Sequence, residues 1–428
     1  MIIIDTALAK REQKGNPIRV GLVGAGYMGR GIALQIEQYI TGMSVVAISN
    51  RTLSEAERAY REAEVNTIKT VSTVAQLEDS IKGGHQAITD DPMLLCAADG
   101  IDVIIEATGH VEFSAHVVMK AIDNRKHVIL MNAELDATVG PILKVYADRA
   151  GVIITNADGD QPGVMMNLFR FVKTIGYQPV LSGNIKGLQD YYRTPETQKG
   201  FAEQHNLTPQ MATAFADGTK ISMENAVVAN ATGFKVGKRG MYGPRCAHVN
   251  EALKLFPVDQ LLNGGLVDYI LGAEPGPGVF ILGYNEHPVR QQYMKYFKMG
   301  EGPLYVFYVP YHLPHLEVPL TAARAVLFED AAVAPLGGPV CDVITIAKRD
   351  LKAGEVIDGI GGFSCYGMIE NSDVSNAEGL LPMGVSEGCI LTQDMRKDQV
   401  ITYTDVELPE GRLCDKLRAE QNDHFTHA

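Results

Sequence analysis

Several groups of side chains in this 428-residue chain have types and spacings that can do chemistry. Lys186 ends the strand-like run Pro179-Val-Leu-Ser-Gly-Asn-Ile-Lys186 and is followed by Gly187. A lysine leaving a buried strand can pass a proton to or from a substrate oxygen, although a lysine that merely snorkels to the surface has the same pattern. The loop after it carries further polar tips, among which Arg193 can clamp an anion. Asp158-Gly-Asp160-Gln-Pro-Gly163 sets two carboxylates beside flexible residues. These suit a divalent cation or, at Asp160, a general base; the competing reading is an Asx-turn that caps the next helix. Lys235, Lys238, Arg239 and Arg245 lie among glycines in Phe234-Lys-Val-Gly-Lys-Arg-Gly-Met-Tyr-Gly-Pro-Arg245, with Met223-Glu224-Asn225 just before them. Such a loop can cradle a phosphate ester or can simply be solvated, and Glu224 adds an acid to the same region. His312, His315 and Glu317 follow in Tyr311-His-Leu-Pro-His-Leu-Glu317. Pro314 keeps a continuous helix from presenting both histidines on one face, so His315 is read as a substrate contact or cap, and no metal ligand is assigned.

These groups need a scaffold, and the amino-terminal third of the chain supplies its pattern. The apolar run from Ile18 enters Gly24-x-Gly26-x-x-Gly29, with Tyr27 and Met28 inside the turn, and then a helical stretch. Strand, glycine turn and helix in that order predict a dinucleotide site whose pyrophosphate meets the helix N-terminus. The next strand ends at Ser49, Asn50 and Arg51, about twenty residues on, where an NAD-preferring site carries an acidic residue. With no carboxylate there and Arg51 available for a 2′-phosphate, the expected cofactor is NADP(H); the competing reading is that Arg51 is a solvated loop residue and the ribose is held elsewhere. Further strands and helices alternate to residue 156, predicting a Rossmann-type, doubly wound parallel sheet of the α/β class. Thr108 and Gly109 in one loop, and Asn132 and Glu134 in another, fall at carboxyl ends of strands and are expected to line the cofactor crevice.

The predicted domains are 1–162 for the nucleotide, 163–339 as an α+β substrate domain, and 340–428 as a small all-β module. In the last, Leu351-Lys-Ala-Gly-Glu-Val-Ile and Met395-Arg-Lys-Asp-Gln-Val-Ile form a quasi-repeat of polar turn and β-branched strand. A net charge of −13 argues against general binding to nucleic acid or an anionic membrane, so an anionic small-molecule substrate needs a local basic pocket. The six cysteines form no CxxC pair, and no signal-like or membrane-spanning run is seen, so a cytoplasmic protein is expected.

The glycine turn, the Glu106-Ala-Thr-Gly109 and Met131-Asn-Ala-Glu134 loops, the Asp158-Gly-Asp160 junction and the terminal module resemble the homoserine-dehydrogenase-like oxidoreductases. The terminal module itself resembles the SAF, or β-clip, domain. Within that group the chain looks most similar to the 1-deoxy-D-xylulose 5-phosphate reductoisomerase-like family. Homoserine dehydrogenases carry Gly-Thr-x-Asn-Tyr after the central strand, whereas here the residues are Lys186-Gly-Leu-Gln-Asp-Tyr191. The resemblance implies rearrangement of a ketose phosphate to a branched aldehyde followed by NADPH-dependent reduction. Lys186, Asp160 and Glu224 would then move protons, Mg²⁺ or Mn²⁺ could assist, and Arg193, Lys235, Lys238, Arg239 and His315 would bind a phosphorylated or acidic sugar. It also implies a homodimer. Three alternatives stay open: an oxidoreductase or oxidoisomerase of a branched sugar acid or nucleotide sugar, a homoserine-type dehydrogenase, and a non-catalytic NADP-sensing protein.

Overall fold

A computed structural model describes residues 3–426. The chain divides into two compact units, one of Met1–Asp160 with Leu313–Ala334 and the other of Gln161–His312 with Pro335–Ala428. Two features depart from the sequence-based division. Leu313–Ala334 belongs with the nucleotide-type unit, and the carboxyl-terminal module shares one unit with 161–312.

The first unit is built on strands β1 (Ile18–Val23), β2 (Met43–Ser49), β3 (Ile68–Thr70), β4 (Gln86–Thr89), β5 (Val103–Glu106), β6 (His127–Leu130) and β7 (Ile154–Asn156). Their order is β3-β4-β2-β1-β5-β6-β7, and every neighbouring pair is parallel. This is the doubly wound sheet that the alternating pattern predicts. Ile18, Val20 and Leu22 are fully buried, as expected for a central parallel strand covered on both faces. Helices α1 (Ile4–Gln13), α2 (Tyr27–Tyr39), α3 (Leu53–Glu62), α4 (Val74–Lys82), α5 (Pro92–Ala97), α6 (Val111–Asp123) and α7 (Ala133–Ala150) join the strands or precede them.

Helix α14 (Pro314–Phe328) completes this unit from far along the chain. Val318, Ala322, Ala323 and Ala325 enter the same apolar core as Ile32, Ile36 and Val45. Small side chains let α14 approach α2 closely at Gly31, where an added Cβ would lie 2.7 Å from Cδ2 of His315. Asp158 anchors the helix electrostatically. Its backbone N–H donates to Oγ1 of Thr321 at 2.7 Å, and its carboxylate accepts from Nη1 of Arg324 at 2.9 Å.

The second unit centres on a four-stranded sheet of β8 (Gln178–Lys186), β9 (Leu266–Leu271), β10 (Gly278–Tyr284) and β11 (Leu304–Val309), in the order β11-β10-β8-β9. Around it are α8 (Gln161–Thr174), α9 (Pro195–His205), α10 (Pro209–Ala216), α11 (Thr219–Thr232), α12 (Val258–Leu262) and α13 (Pro288–Tyr296). Residues 249–254 form a 3₁₀ helix where the sequence suggests an α-helix from 247 to 255. The carboxyl-terminal part adds β12 (Cys341–Ala347), β13 (Cys365–Asn371), α15 (Ser372–Ala377), β14 (Ile390–Leu391), β15 (Val406–Glu407) and α16 (Leu413–Thr426). Its quasi-repeat has a structural counterpart, since Leu351 and Met395 exchange backbone hydrogen bonds at 2.8 and 3.0 Å. Two buried ion pairs stiffen this part. Arg418 grips Asp342 through Nη1 and Nη2 at 2.6 and 2.8 Å, and Nζ of Lys348 reaches Asp217 at 2.9 Å. No described helix is long and apolar enough to cross a membrane.

Candidate functional site

In the first unit the strand-to-helix turn has the shape of a dinucleotide cradle. Gly24 adopts φ of 102°, and a Cβ there would sit 2.9 Å from the carbonyl oxygen of Ala107. A Cβ on Gly29 would collide with the Gly24 carbonyl oxygen at 2.1 Å, so close packing of turn and helix demands glycine at both positions. Gly26 differs, because an added Cβ would meet nothing within 4 Å. Its open side lies at the N-terminus of α2, where no side chain caps the first-turn N–H groups. That combination suits an anionic pyrophosphate, so the residues present fit a dinucleotide. Tyr27 is 46% exposed at this helix start, and Met28 is partly buried.

The tip of β2 supports the turn. Asn50 accepts the Ala25 N–H through Oδ1 at 3.1 Å and donates from Nδ2 to the Thr52 carbonyl at 2.9 Å. Asn50 therefore shapes the turn with its side chain. Arg51 next to it is exposed and makes no ion pair among the described residues. Arg30, by contrast, is tied to Glu55 and Glu62 at 3.4 and 3.2 Å.

The two carboxyl-end loops meet through Glu106, a residue that sequence reading passed over as part of a motif. It is fully buried, and burial raises its pKa against the opposing pull of its hydrogen bonds. Oε1 accepts the Thr108 N–H at 2.8 Å and also the Thr108 hydroxyl, while Oε2 accepts Nδ2 of Asn132 at 3.0 Å. Asn132 in turn caps α7 by accepting the Leu135 N–H at 3.0 Å. Gly109 is exposed with φ of 76°, and Glu134 is buried in the first turn of α7.

The second unit holds two of the three proton-transfer candidates, Lys186 and Glu224. On β8, alternation sends Ser182, Asn184 and Lys186 to one face, and α11 supplies Glu224 and Asn225. Nζ of Lys186 lies 3.3 Å from Oε2 of Glu224. The Glu224 side chain is 4% exposed and that of Lys186 is 19% exposed. Asn184 donates to the same carboxylate oxygen at 3.3 Å and to Oε1 of Gln161 at 2.5 Å, and it accepts from Asn225 at 2.7 Å. Sequence reading singled out neither Asn184 nor Gln161. The available signal was a pair of polar residues, Ser182 and Asn184, on one face of an otherwise apolar strand.

Other sequence candidates fall elsewhere. Arg239 donates to Glu370 at 2.6 Å and to Glu378 at 2.7 Å, and Lys235 pairs with Asp373 at 2.9 Å. These two cations are committed to carboxylates of the carboxyl-terminal part, so the loop acts as a clamp within its unit. Lys238 is exposed over the Tyr242 ring, 5.4 Å from its centroid. Arg193 pairs with Asp190 at 3.0 Å. His315 sits in the first turn of α14 against Gly31, and burial lowers its pKa. Asp160, buried, ends the first unit. Among the described residues no three His, Cys, Asp or Glu side chains are grouped to hold a metal ion.

Comparison with known proteins places both segments. Residues 24–154 match the NAD-binding domain of homoserine dehydrogenase, and residues 159–318 match the catalytic domain of oxidoreductase DRL. A homoserine dehydrogenase from Neisseria gonorrhoeae is 23% identical over 202 residues, covering 47% of this chain and 43% of that enzyme. Inositol 2-dehydrogenase 4 from Saccharopolyspora erythraea is 37% identical over 95 residues, covering 21% of this chain and 28% of that protein. The chain thus matches less than half the length of either relative. A solved structure of a probable dehydrogenase from Thermotoga maritima aligns over 75% of this chain and 91% of its own, at 13% identity and a TM-score of 0.43. In its nucleotide-type segment and in the segment that carries Lys186 and Glu224, the chain is similar to homoserine-dehydrogenase-like oxidoreductases.

Proposed function

We propose that the protein is an NADP(H)-dependent oxidoreductase that interconverts an alcohol and a carbonyl on a small polar substrate. The observation that carries this reading is the Lys186–Glu224 pair, an ammonium held 3.3 Å from a buried carboxylate within the segment similar to an oxidoreductase catalytic domain. The glycine turn supports the cofactor part, and the absence of an acidic residue at Asn50 and Arg51 supports the 2′-phosphate. When bound, the nicotinamide supplies or accepts the hydride. Lys186 would deliver a proton from Nζ to the substrate oxygen as the carbonyl is reduced, and would take it back in oxidation. Glu224 would hold that ammonium aimed, with Asn184 fixing the carboxylate.

For the substrate, the resemblance of the chain points to 1-deoxy-D-xylulose 5-phosphate, with 2-C-methyl-D-erythritol 4-phosphate as the product. A second reading, a substrate without a phosphate such as a branched sugar acid or homoserine, is favoured by one observation. Lys235 and Arg239, two of the four cations of the basic loop, already pair with carboxylates. The deciding experiment follows NADPH in the purified protein, its consumption with the ketose phosphate and its formation from NADP⁺ with homoserine or a sugar acid, with and without added Mg²⁺ or Mn²⁺. Turnover with the ketose phosphate supports the reductoisomerase. Turnover only with unphosphorylated substrates supports the second reading. Tight NADPH binding without turnover on any of them returns the protein to a sensing role.

A further inference from the structure

Backbone hydrogen bonds already hold the strands around Glu106 together. Glu106 is in register with Val23 of β1 and Leu130 of β6, and its carbonyl accepts the Met131 N–H at 2.9 Å. Its side chain is not needed for that pairing. The carboxylate reaches beyond the strand ends instead, to Thr108 in the loop after β5 and to Asn132 at the start of α7. In a doubly wound sheet the loops at carboxyl ends on either side of the reversal line the two halves of a dinucleotide site. The reversal here lies between β1 and β5, with β2, Asn50 and Arg51 on one side and the Glu106 loops on the other.

We infer that Glu106 is a positioning residue for the nicotinamide half of the cofactor, locking the Thr108 loop and the Asn132 cap into one wall while leaving the adenosine half untouched. The inference rests on reading the first unit as a nicotinamide-cofactor domain. Chemistry explains why a carboxylate stands there. Both oxygens face N–H donors, Thr108 N–H on one and Asn132 Nδ2 on the other, so an acceptor-only group is required. Glutamine would turn an NH₂ toward one of those donors. Aspartate, shorter by a methylene, reaches one loop and not both. Ser114 completes the cluster, with Oγ 3.0 Å from both Oγ1 of Thr108 and Nδ2 of Asn132. Gly109 then presents open backbone, with nothing within 4 Å of where a Cβ would be.

The test compares whole cofactors with their adenosine halves. Dissociation constants for NADPH and 2′,5′-ADP, and for NADH and AMP, are measured by titration calorimetry on wild type, Glu106→Gln and Thr108→Val. The expected result is NADPH weakened about tenfold or more in Glu106→Gln, the cost of a mispaired buried donor, with 2′,5′-ADP bound within about twofold of wild type. Thr108→Val keeps the carboxylate but removes one of its donors and shows the same split at smaller size. It also serves as the readout if Glu106→Gln does not fold. Equal weakening of whole and half cofactors assigns Glu106 a merely structural role and overturns the inference, as does unchanged NADPH binding. Wild type that binds neither NADPH nor NADH overturns the cofactor reading itself, an outcome distinct from a flat Glu106→Gln result.

Discussion

Lys186 and Asn184, two residues apart on one face of β8, donate to the same oxygen, Oε2 of Glu224, each at 3.3 Å. The buried amide and the partly exposed ammonium thus share one acceptor. Asn184, fully buried and bonded to Gln161 and Asn225 as well, keeps the carboxylate in place whatever Lys186 does. Lys186 is the member of the trio able to move toward solvent, as a proton carrier must.

That arrangement gives the first prediction. Lys186→Met should lower kcat by roughly a hundred- to ten-thousandfold, the usual worth of a positioned acid or base, with the NADPH dissociation constant unchanged within about twofold. Glu224→Gln should lower kcat less, because the amide still accepts a hydrogen bond from Lys186. Steady-state kinetics beside calorimetric titration separates the two effects, and full turnover in Lys186→Met removes the residue from the mechanism.

The glycine turn predicts opposite behaviour at two positions three residues apart. Gly29→Ala forces a Cβ against the Gly24 carbonyl oxygen at 2.1 Å and should destabilise the first unit. Gly26→Ala has open space around it, so the fold should be unaffected while cofactor affinity falls, since the added methyl occupies the side left for phosphate. Thermal unfolding with and without NADPH distinguishes the two. Equal stability and equal cofactor protection in both variants would contradict this account of the turn.

Arg51 is exposed at the tip of β2, so its contribution to a 2′-phosphate is a solvent-screened contact. Arg51→Ala should weaken NADPH by about tenfold and leave NADH unchanged, the low end for a charge-assisted hydrogen bond. Arg51→Glu should reverse the preference. The ratio of the two cofactor dissociation constants is the measurement, and a ratio that does not move places the 2′-phosphate elsewhere.

Asp136 makes stability depend on pH. It is buried in α7, accepts a hydrogen bond from Asn156, and burial pushes its pKa from 3.8 up to about 7. A carboxyl whose folded pKa is raised contributes its stability in full below the unfolded value, and that contribution is lost as pH rises through the folded value. The protein should therefore lose stability from this group between pH 3.8 and about 7, at up to about 1.4 kcal/mol per pH unit. Urea unfolding at pH 5 and pH 8 should show a smaller difference in Asp136→Asn than in wild type. An unchanged difference would exclude Asp136 as its source.

The buried Lys348 ammonium donates to Asp217, to the Arg193 carbonyl and to the Gly362 carbonyl at 2.8–2.9 Å. Lys348→Met leaves Asp217 as an uncompensated buried charge and should cost about 3–5 kcal/mol. The double variant Lys348→Met with Asp217→Asn should be less destabilised than Lys348→Met alone, because no lone charge remains. Chemical denaturation of the three proteins checks the order.

Local features were legible in the sequence, and distant ones were not. The glycines at 24, 26 and 29 and the strand–helix alternation are neighbour relationships, and the parallel sheet follows from them. Strand β3 is not legible because Ile68–Thr70 is three residues at a sheet edge with little burial, too short to show a period. Arg239 looked like a ligand for phosphate because its partner Glu370 lies 131 residues away. Asp158 looked like a metal ligand or turn residue for the same reason, since Arg324 is 166 residues distant. The acid at Glu224 is legible in the sequence, but its tie to Asn184 is not, because the two lie 40 residues apart. A charged side chain declares its type in the sequence, but whether it is already neutralised depends on chain crossings that no local pattern records.

Helix α14 also fixes an order of events during synthesis. Asp158 is made 163 residues before Thr321 and 166 before Arg324. At about 5–20 residues per second, a ribosome leaves that aspartate without either partner for roughly eight to thirty seconds. All of 161–312 emerges in the interval. The unit that begins at the amino end is thus completed only after 161–312 has been made, and the second unit only after Pro335–Ala428 has followed, so neither unit is a single run of newly made chain.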